Sequence, residues 1–298
     1  MTKITNPPFE ERFFNDISIN VKERIIFHYT TAAGALGIFE GAQIWTSLAT
    51  HMNDKQECKF AHGVARRIAH GELRQSDAIL REAFLAEFRE QLERYEHLKV
   101  FVACFSEAHD LLSQWRGYGG MLGYALGFSL ESVQRIAEKQ GFKLEEVKYK
   151  NAEHEALLRP IVVDLIAKFD PGWDRTKHRE QIDNSFRPGM TAIAEKSAII
   201  KHPAFSEERE WRLHSNPMAP LQDRTDFVVR EGRIVPIVKV NLESGKTTHP
   251  RFYRDICLRG CVVGPGPDQE ERTDAIWTVA LRHQVSIGQI MRSAAPVR

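Results

Sequence analysis

No stretch of this 298-residue chain is apolar over the roughly 20 residues that a membrane-crossing helix needs. The opening residues, Met1 to Glu10, are polar, carry two prolines and lack the apolar centre of a signal peptide, so neither export nor a membrane partner is expected. Cysteine is scarce: Cys58, Cys104, Cys257 and Cys261 are too few and too scattered for a disulfide framework, and no second ligand pair follows Cys257 and Cys261 to make a zinc site. A cytoplasmic, reducing setting is the matching expectation. An excess of one charge is missing too. Lys+Arg number 41 against 40 Asp+Glu, so net charge does not indicate nucleic acid as a partner. Internal repeats, low-complexity tracts and an evident linker are also absent.

What remains is the pattern of an ordinary globular chain, 42% hydrophobic and 27% charged, long enough to bury a substantial core. Residues 24–30 read as a strand, rich in β-branched and aromatic side chains. A short helix follows, capped by Thr30 or Thr31 and ended in the left-handed conformation at Gly41, and a second strand covers 43–47. Residues 54–97 read as a helical insertion, with Leu80, Phe84, Phe88 and Leu92 on one stripe and Ser76 as cap. Strands are expected at 99–106 and 123–129. Between them lies Leu111-Leu112-Ser113-Gln114-Trp115-Arg116-Gly117-Tyr118-Gly119-Gly120, which packs two aromatics, an arginine and three glycines into ten residues.

A helix at 130–140 should close on Gly141, with a strand near 143–149. Residues 151–200 form a second helical segment, interrupted at Pro160, Pro171-Gly172 and Pro188-Gly189. Strands follow at 226–230, 233–242 and 256–263, then a turn at Gly264-Pro265-Gly266-Pro267, a helix from Asp268 to about Arg282 and a last strand near 285–290. The fold class is α+β, a single domain over 1–298 with helical insertions.

One stretch stands out. His202-Pro203 stops a helix, and in Glu208-Arg209-Glu210-Trp211-Arg212-Leu213 a two-residue period puts Glu208, Glu210 and Arg212 on one strand face, with Trp211 and Leu213 on the other. If the charged face lines a cleft, the two carboxylates are an active-site candidate, and their proximity should push one pKa upward. If it meets water, they are surface charges with Arg212 as an exposed partner.

Taken in order, His28-Tyr29-Thr30, Trp45-Thr46-Ser47 with Asn53-Asp54 and Glu57, Cys104-Phe105-Ser106 with Trp115, Gly123 to Phe128, Glu208-x-Glu210-Trp211-Arg212 and Val263-Gly264-Pro265 resemble the bacterial family of domain of unknown function 2971. Lys55 replaces the proline usual after Asn-Asp. More distantly, a strand with His, a short helix ending in Gly, a strand with Ser and a late Glu-x-Glu strand look like the ADP-ribosyltransferase fold, which implies a mixed sheet core.

That likeness implies NAD as substrate. His28, with Tyr29 and Thr30, would hold the dinucleotide beside Ser47, Glu210 would be catalytic, and Glu208 would engage the acceptor. Ser106, Tyr118 or Tyr124 would fill the central position. Arg116 could hold a phosphate through its planar fork, and the glycines beside Tyr118 suggest close approach by a ligand or by backbone. ADP-ribose would pass to a macromolecular acceptor or partner protein, or to water, as in a bacterial toxin or antiviral-defence effector, with no metal required. Two alternatives stand beside this: a metal-dependent hydrolase or nuclease using His51, Asp54 and Glu57, and a non-catalytic binding or regulatory module.

Overall fold

The computed structural model describes residues 23–51, 57–119, 121–230, 232–244 and 254–296. Strand β1 (Ile25–Thr30) leads into α1 (Ala32–Gly41), whose first turn is closed by the Thr31 hydroxyl accepting from the Gly34 amide at 3.2 Å. The left-handed residue after α1 is Ala42, φ 51°, one position beyond the expected Gly41. Then come β2 (Gln43–Leu48), α2 (Glu57–Glu72) and α3 (Ala78–Arg94). The cap of α3 is Asp77 rather than Ser76, its carboxylate accepting from the Ile79 amide at 2.8 Å. β3 (Phe101–Ser106) precedes α4 (Leu112–Gln114), a single turn that runs into a π-helical turn at Trp115–Gly119.

β4 (Tyr124–Ser129), α5 (Leu130–Glu138) and β5 (Phe142–Glu146) follow, with Gly141 at φ 81° ending the helical stretch as its position predicts. The second helical segment is α6 (Asn151–Lys168) and α7 (Arg179–Ser197). It breaks near Pro171-Gly172, but both helices run through their prolines. Pro160 and Pro188 lie on exposed faces, where the carbonyl a turn earlier can bind water in place of the missing amide. β6 (Glu210–Ser215), β7 (Thr225–Arg230), β8 (Arg233–Asn241), β9 (Leu258–Val263), α8 (Gln269–Arg282) and β10 (Gln289–Arg292) complete an α+β chain with mixed strand pairing.

Contacts gather the chain into two compact units that alternate in sequence. The first takes the described residues of Met1–Ile44, Phe105–Gln140 and Val240–Arg298. In it β4 lies antiparallel between β1 and β9, with Leu126 opposite both His28 and Cys261, and β10 runs parallel to β9. Phe27, Tyr29, Trp115, Ala125 and Val262 form a buried cluster there. At Gly123 the neighbouring backbone leaves no room for a side chain. A methyl on Gly123 would stand 2.1 Å from the Gly119 carbonyl oxygen and 2.5 Å from that of Thr30. Gly123→Ala should therefore cost about 1–3 kcal/mol, read as a lower unfolding midpoint, because neither carbonyl can rotate away. Gly37→Ala, with nothing within 4 Å of the new methyl, is the control and should be neutral or stabilising.

The second unit takes the described residues of Trp45–Cys104 and Gly141–Lys239. Here β6 pairs antiparallel with β5, setting Leu213 opposite Leu144 and Arg212 opposite Glu145, and β3 lies on its other side. β7 and β8 form an antiparallel pair next to β2. Helices α2, α3, α6 and α7 share one apolar core that includes Val64, Ile68, Phe84, Phe88, Leu158, Phe186 and Met190. The expected stripe on α3 is its contribution. Phe84 stacks on Phe88 at 5.4 Å between ring centres, and Phe169 meets Phe84 edge-on at the same distance. Polar ties reinforce the packing of α3 on α7: the buried Gln91 donates to Glu87 at 2.8 Å and to Asp183 at 2.9 Å, and Arg94 reaches the same Asp183 oxygen at 2.7 Å.

Candidate functional site

The acidic stretch folds in two pieces. The His202 ring accepts from the Ala204 amide at 3.2 Å, and Pro203, whose fixed φ suits a first turn, opens a 3-10 turn over Pro203–Glu208. Arg209 then takes a left-handed conformation, φ 40° and ψ 55°, and β6 begins at Glu210. Glu208 is thus outside the strand, and the expected alternation of a wet and a dry face fails. Glu210, Arg212 and His214 are buried like Leu213, while Trp211 is only half-buried.

The charges are buried together. Arg212, 2% exposed, grips the Glu210 carboxylate with Nε at 2.8 Å and Nη2 at 3.0 Å, and its Nη1 donates to the Ala198 carbonyl at 3.0 Å. Lys201, 3% exposed, places Nζ 2.6 Å from Glu208 Oε2 and 3.0 Å from Glu210 Oε2, and 5.1 Å from the centre of the Phe205 ring. The Cys104 thiol also bonds to the Glu210 carboxylate. Backbone contacts fix the frame. The Glu210 amide donates to the Tyr149 hydroxyl at 3.0 Å, the Val147 amide to the Glu210 carbonyl at 2.9 Å, and the Lys201 amide to the Lys148 carbonyl at 3.1 Å.

Burial alone would raise the Glu210 carboxyl, but Arg212 and then Lys201 outweigh it and hold the group at about 2. Despite the neighbouring carboxylate the direction at Glu210 is downward, because Lys201 bridges the two acids and Arg212 pairs with Glu210. Burial pushes the Tyr149 phenol and the Cys104 thiol up, so both stay protonated at neutral pH. On the same strand the wholly buried His214 places Nε2 2.8 Å from Glu145, and that hydrogen bond, against burial, holds Glu145 at about 2.

Ser47 is in the same unit as the two acids, and its hydroxyl accepts from Arg230 at 2.9 Å. The other predicted binding residues belong to the first unit. His28 is half-buried with its ring 5.7 Å from Phe105. Tyr29 is buried, donates to the Ala108 carbonyl at 2.8 Å and accepts from the Leu111 amide at 3.0 Å, and burial pushes its phenol to about 12. Thr30, at the end of β1, lends its carbonyl to the close packing at Gly123. The buried Ser106 hydroxyl accepts from the Ala108 amide at 3.0 Å. Tyr124 is buried in β4, whereas Arg116 is exposed on the π-helical turn and Tyr118 packs half-buried near Trp115.

Of the alternative metal set, Asp54 and the side chain of Glu57 lie outside the described residues. His51 is exposed, with Nδ1 3.2 Å from the Thr50 hydroxyl. Among the described residues no group of three or more His, Cys, Asp or Glu is placed to hold a metal ion. Sequence reasoning missed Lys201, Cys104 and Tyr149 as partners of Glu210. Arg212 was visible two positions along the strand, and the water-facing alternative that made it an exposed partner is overturned by its burial.

Neither a curated protein nor a solved structure matches the chain, so the likeness to ADP-ribosyltransferases rests on the sequence motifs alone. One family model does match, that described as protein of unknown function (DUF2971), over residues 114–213, a span that includes Tyr149, Lys201, Glu208, Glu210 and Arg212.

Proposed function

We propose that the chain is an ADP-ribosyltransferase-like protein that cleaves NAD, with Glu210 stabilising the cationic sugar and Glu208 facing the acceptor. The observation that carries this reading is the state of Glu210: a carboxylate at the first residue of a strand, oriented by a bidentate arginine and held at about 2. It is therefore ionised throughout the neutral range. As the bond from ribose C1' to nicotinamide breaks, nicotinamide leaves with the electron pair and positive charge grows on the sugar, which such a carboxylate favours more in the transition state than before it. The acceptor, a macromolecule or water, then donates an electron pair to C1' and loses its proton. A role in a toxin or antiviral effector is compatible with that chemistry.

Since Lys201, Arg212 and Cys104 already bond to Glu210, this reading requires the Lys201 contact to open when ribose binds, leaving the ammonium on Glu208. The same saturation favours a second reading, a non-catalytic binding or regulatory module in which the buried charges only hold β6. NAD consumption by the purified protein separates the two. Under the first, Glu210→Gln lowers turnover on the order of 100-fold at a temperature where both proteins are folded. Under the second, the parent protein shows no turnover and Glu210→Gln lowers only the unfolding midpoint.

A further inference from the structure

β7 ends the run of paired strands in the second unit, and among the described residues its strand partner is β8 alone. Its register sets Phe227 beside Pro236 and Val229 beside Ile234, so these four side chains share a face. Phe227, Val229 and Ile234 are 66%, 75% and 68% exposed. A regular edge strand with open backbone groups is a template for another strand, and Thr225–Arg230 contains neither the proline, the lysine nor the bulge that commonly blunts such an edge.

We propose that this edge is occupied by a second copy of the chain, β7 pairing antiparallel with its counterpart about a two-fold axis at Val228. The charges on the strand select that partner and register. Centred on Val228, the pairing sets Asp226 of each copy opposite Arg230 of the other and Phe227 opposite Val229, so both charge pairs and both apolar pairs form at once. A parallel, in-register pairing would instead set like charges against each other. Within the chain Asp226 pairs with Lys239 Nζ at 2.7 Å and Arg230 donates to the Ser47 hydroxyl at 2.9 Å, so the contacts across the dimer would be shared with, or replace, these bonds to β8 and β2. The interface is isologous, and it joins the exposed face of Phe227, Val229 and Ile234 to its own copy.

The test is sedimentation equilibrium of the full chain across micromolar concentrations. A reversible equilibrium between the 34.1 kDa monomer and a dimer is expected. Asp226→Arg and Arg230→Asp should each weaken it on the order of tenfold or more, because like charges then meet twice. Mixing the two variants should restore the dimer, since every introduced charge then faces an opposite one. Val229→Lys, at an exposed position that leaves the fold intact, should also weaken it and stands in if a charge variant fails to fold. A parent protein monomeric throughout, a dimer indifferent to these substitutions, or a mixture of the two charge variants that stays monomeric would each overturn the proposal.

Discussion

Arg212→Ala is expected to destabilise the protein by about 3–5 kcal/mol, because it strands a buried carboxylate whose charge was balanced within the fold. Glu210 would keep Lys201 and lose both guanidinium hydrogen bonds. Urea unfolding at neutral pH measures the loss, and a change below about 1 kcal/mol would mean that water reaches the pair and screens it. Replacing both members by apolar residues, Glu210→Leu with Arg212→Met, should recover much of the loss, since no buried charge is then left unpaired.

The same carboxylate sets an acid limit. Its folded value of about 2 lies below the ordinary 4.5, so its stabilising contribution is complete above about 4.5 and disappears as the pH falls from there towards 2. That contribution is on the order of 3 kcal/mol. Glu145, held low by His214, adds a contribution of the same sign. Without Arg212 the folded value of Glu210 moves back up, and the acid-sensitive window narrows.

The second large effect is expected at Trp115. Its ring is wholly buried, meets Tyr29 edge-on at 4.7 Å between centres, and its indole nitrogen donates to Asp110 at 2.7 Å. Trp115→Ala should cost about 3–5 kcal/mol, measured by thermal or denaturant unfolding, since a cavity that size cannot close against β1 and the π-helical turn. Trp115→Phe should cost less and report on Asp110. Burial raises that carboxyl, yet hydrogen bonds from Ser293, Trp115 and the Ala294 amide together hold it below the usual range. Losing one of the three moves its titration upward, a change visible in the pH dependence of unfolding even if the ring void is well filled.

Much of the element order was legible because it rests on local rules. β1, α1 and β2 follow from β-branched runs and from Thr31 as a cap, and the stripe of Phe84, Phe88 and Leu92 follows from the helical period. The prolines at 160 and 188 misled because a break depends on which side of the helix loses its donor, and that side is set by packing. The candidate site was half legible. Glu210 and Arg212 are two positions apart on one strand, so their pairing lies within reach of a simple period. The left-handed Arg209, which takes Glu208 out of that register, has no local signature, since glycine or asparagine would ordinarily mark it. Lys201 and Cys104 reach Glu210 only through tertiary pairing, and no spacing rule brings position 104 to position 210.

The shared core of the four helices bears on how the chain is made. Leu158, Val162, Phe186 and Met190 are buried against side chains of α2 and α3, which leave the ribosome long before α6 and α7 exist. At about 5–20 residues per second, the stretch from Arg94 to Ser197 takes roughly 5–20 s to synthesise. Through that interval Phe84, Phe88 and Ile68 wait without their final partners, so apolar surface of the nascent α2–α3 segment stays uncovered. For the same reason a fragment cut to the matched span, 114–213, carries α6 and α7 without the helices that cover them. Such a fragment should aggregate when produced alone, and co-expression of 57–97 is the natural means to rescue it.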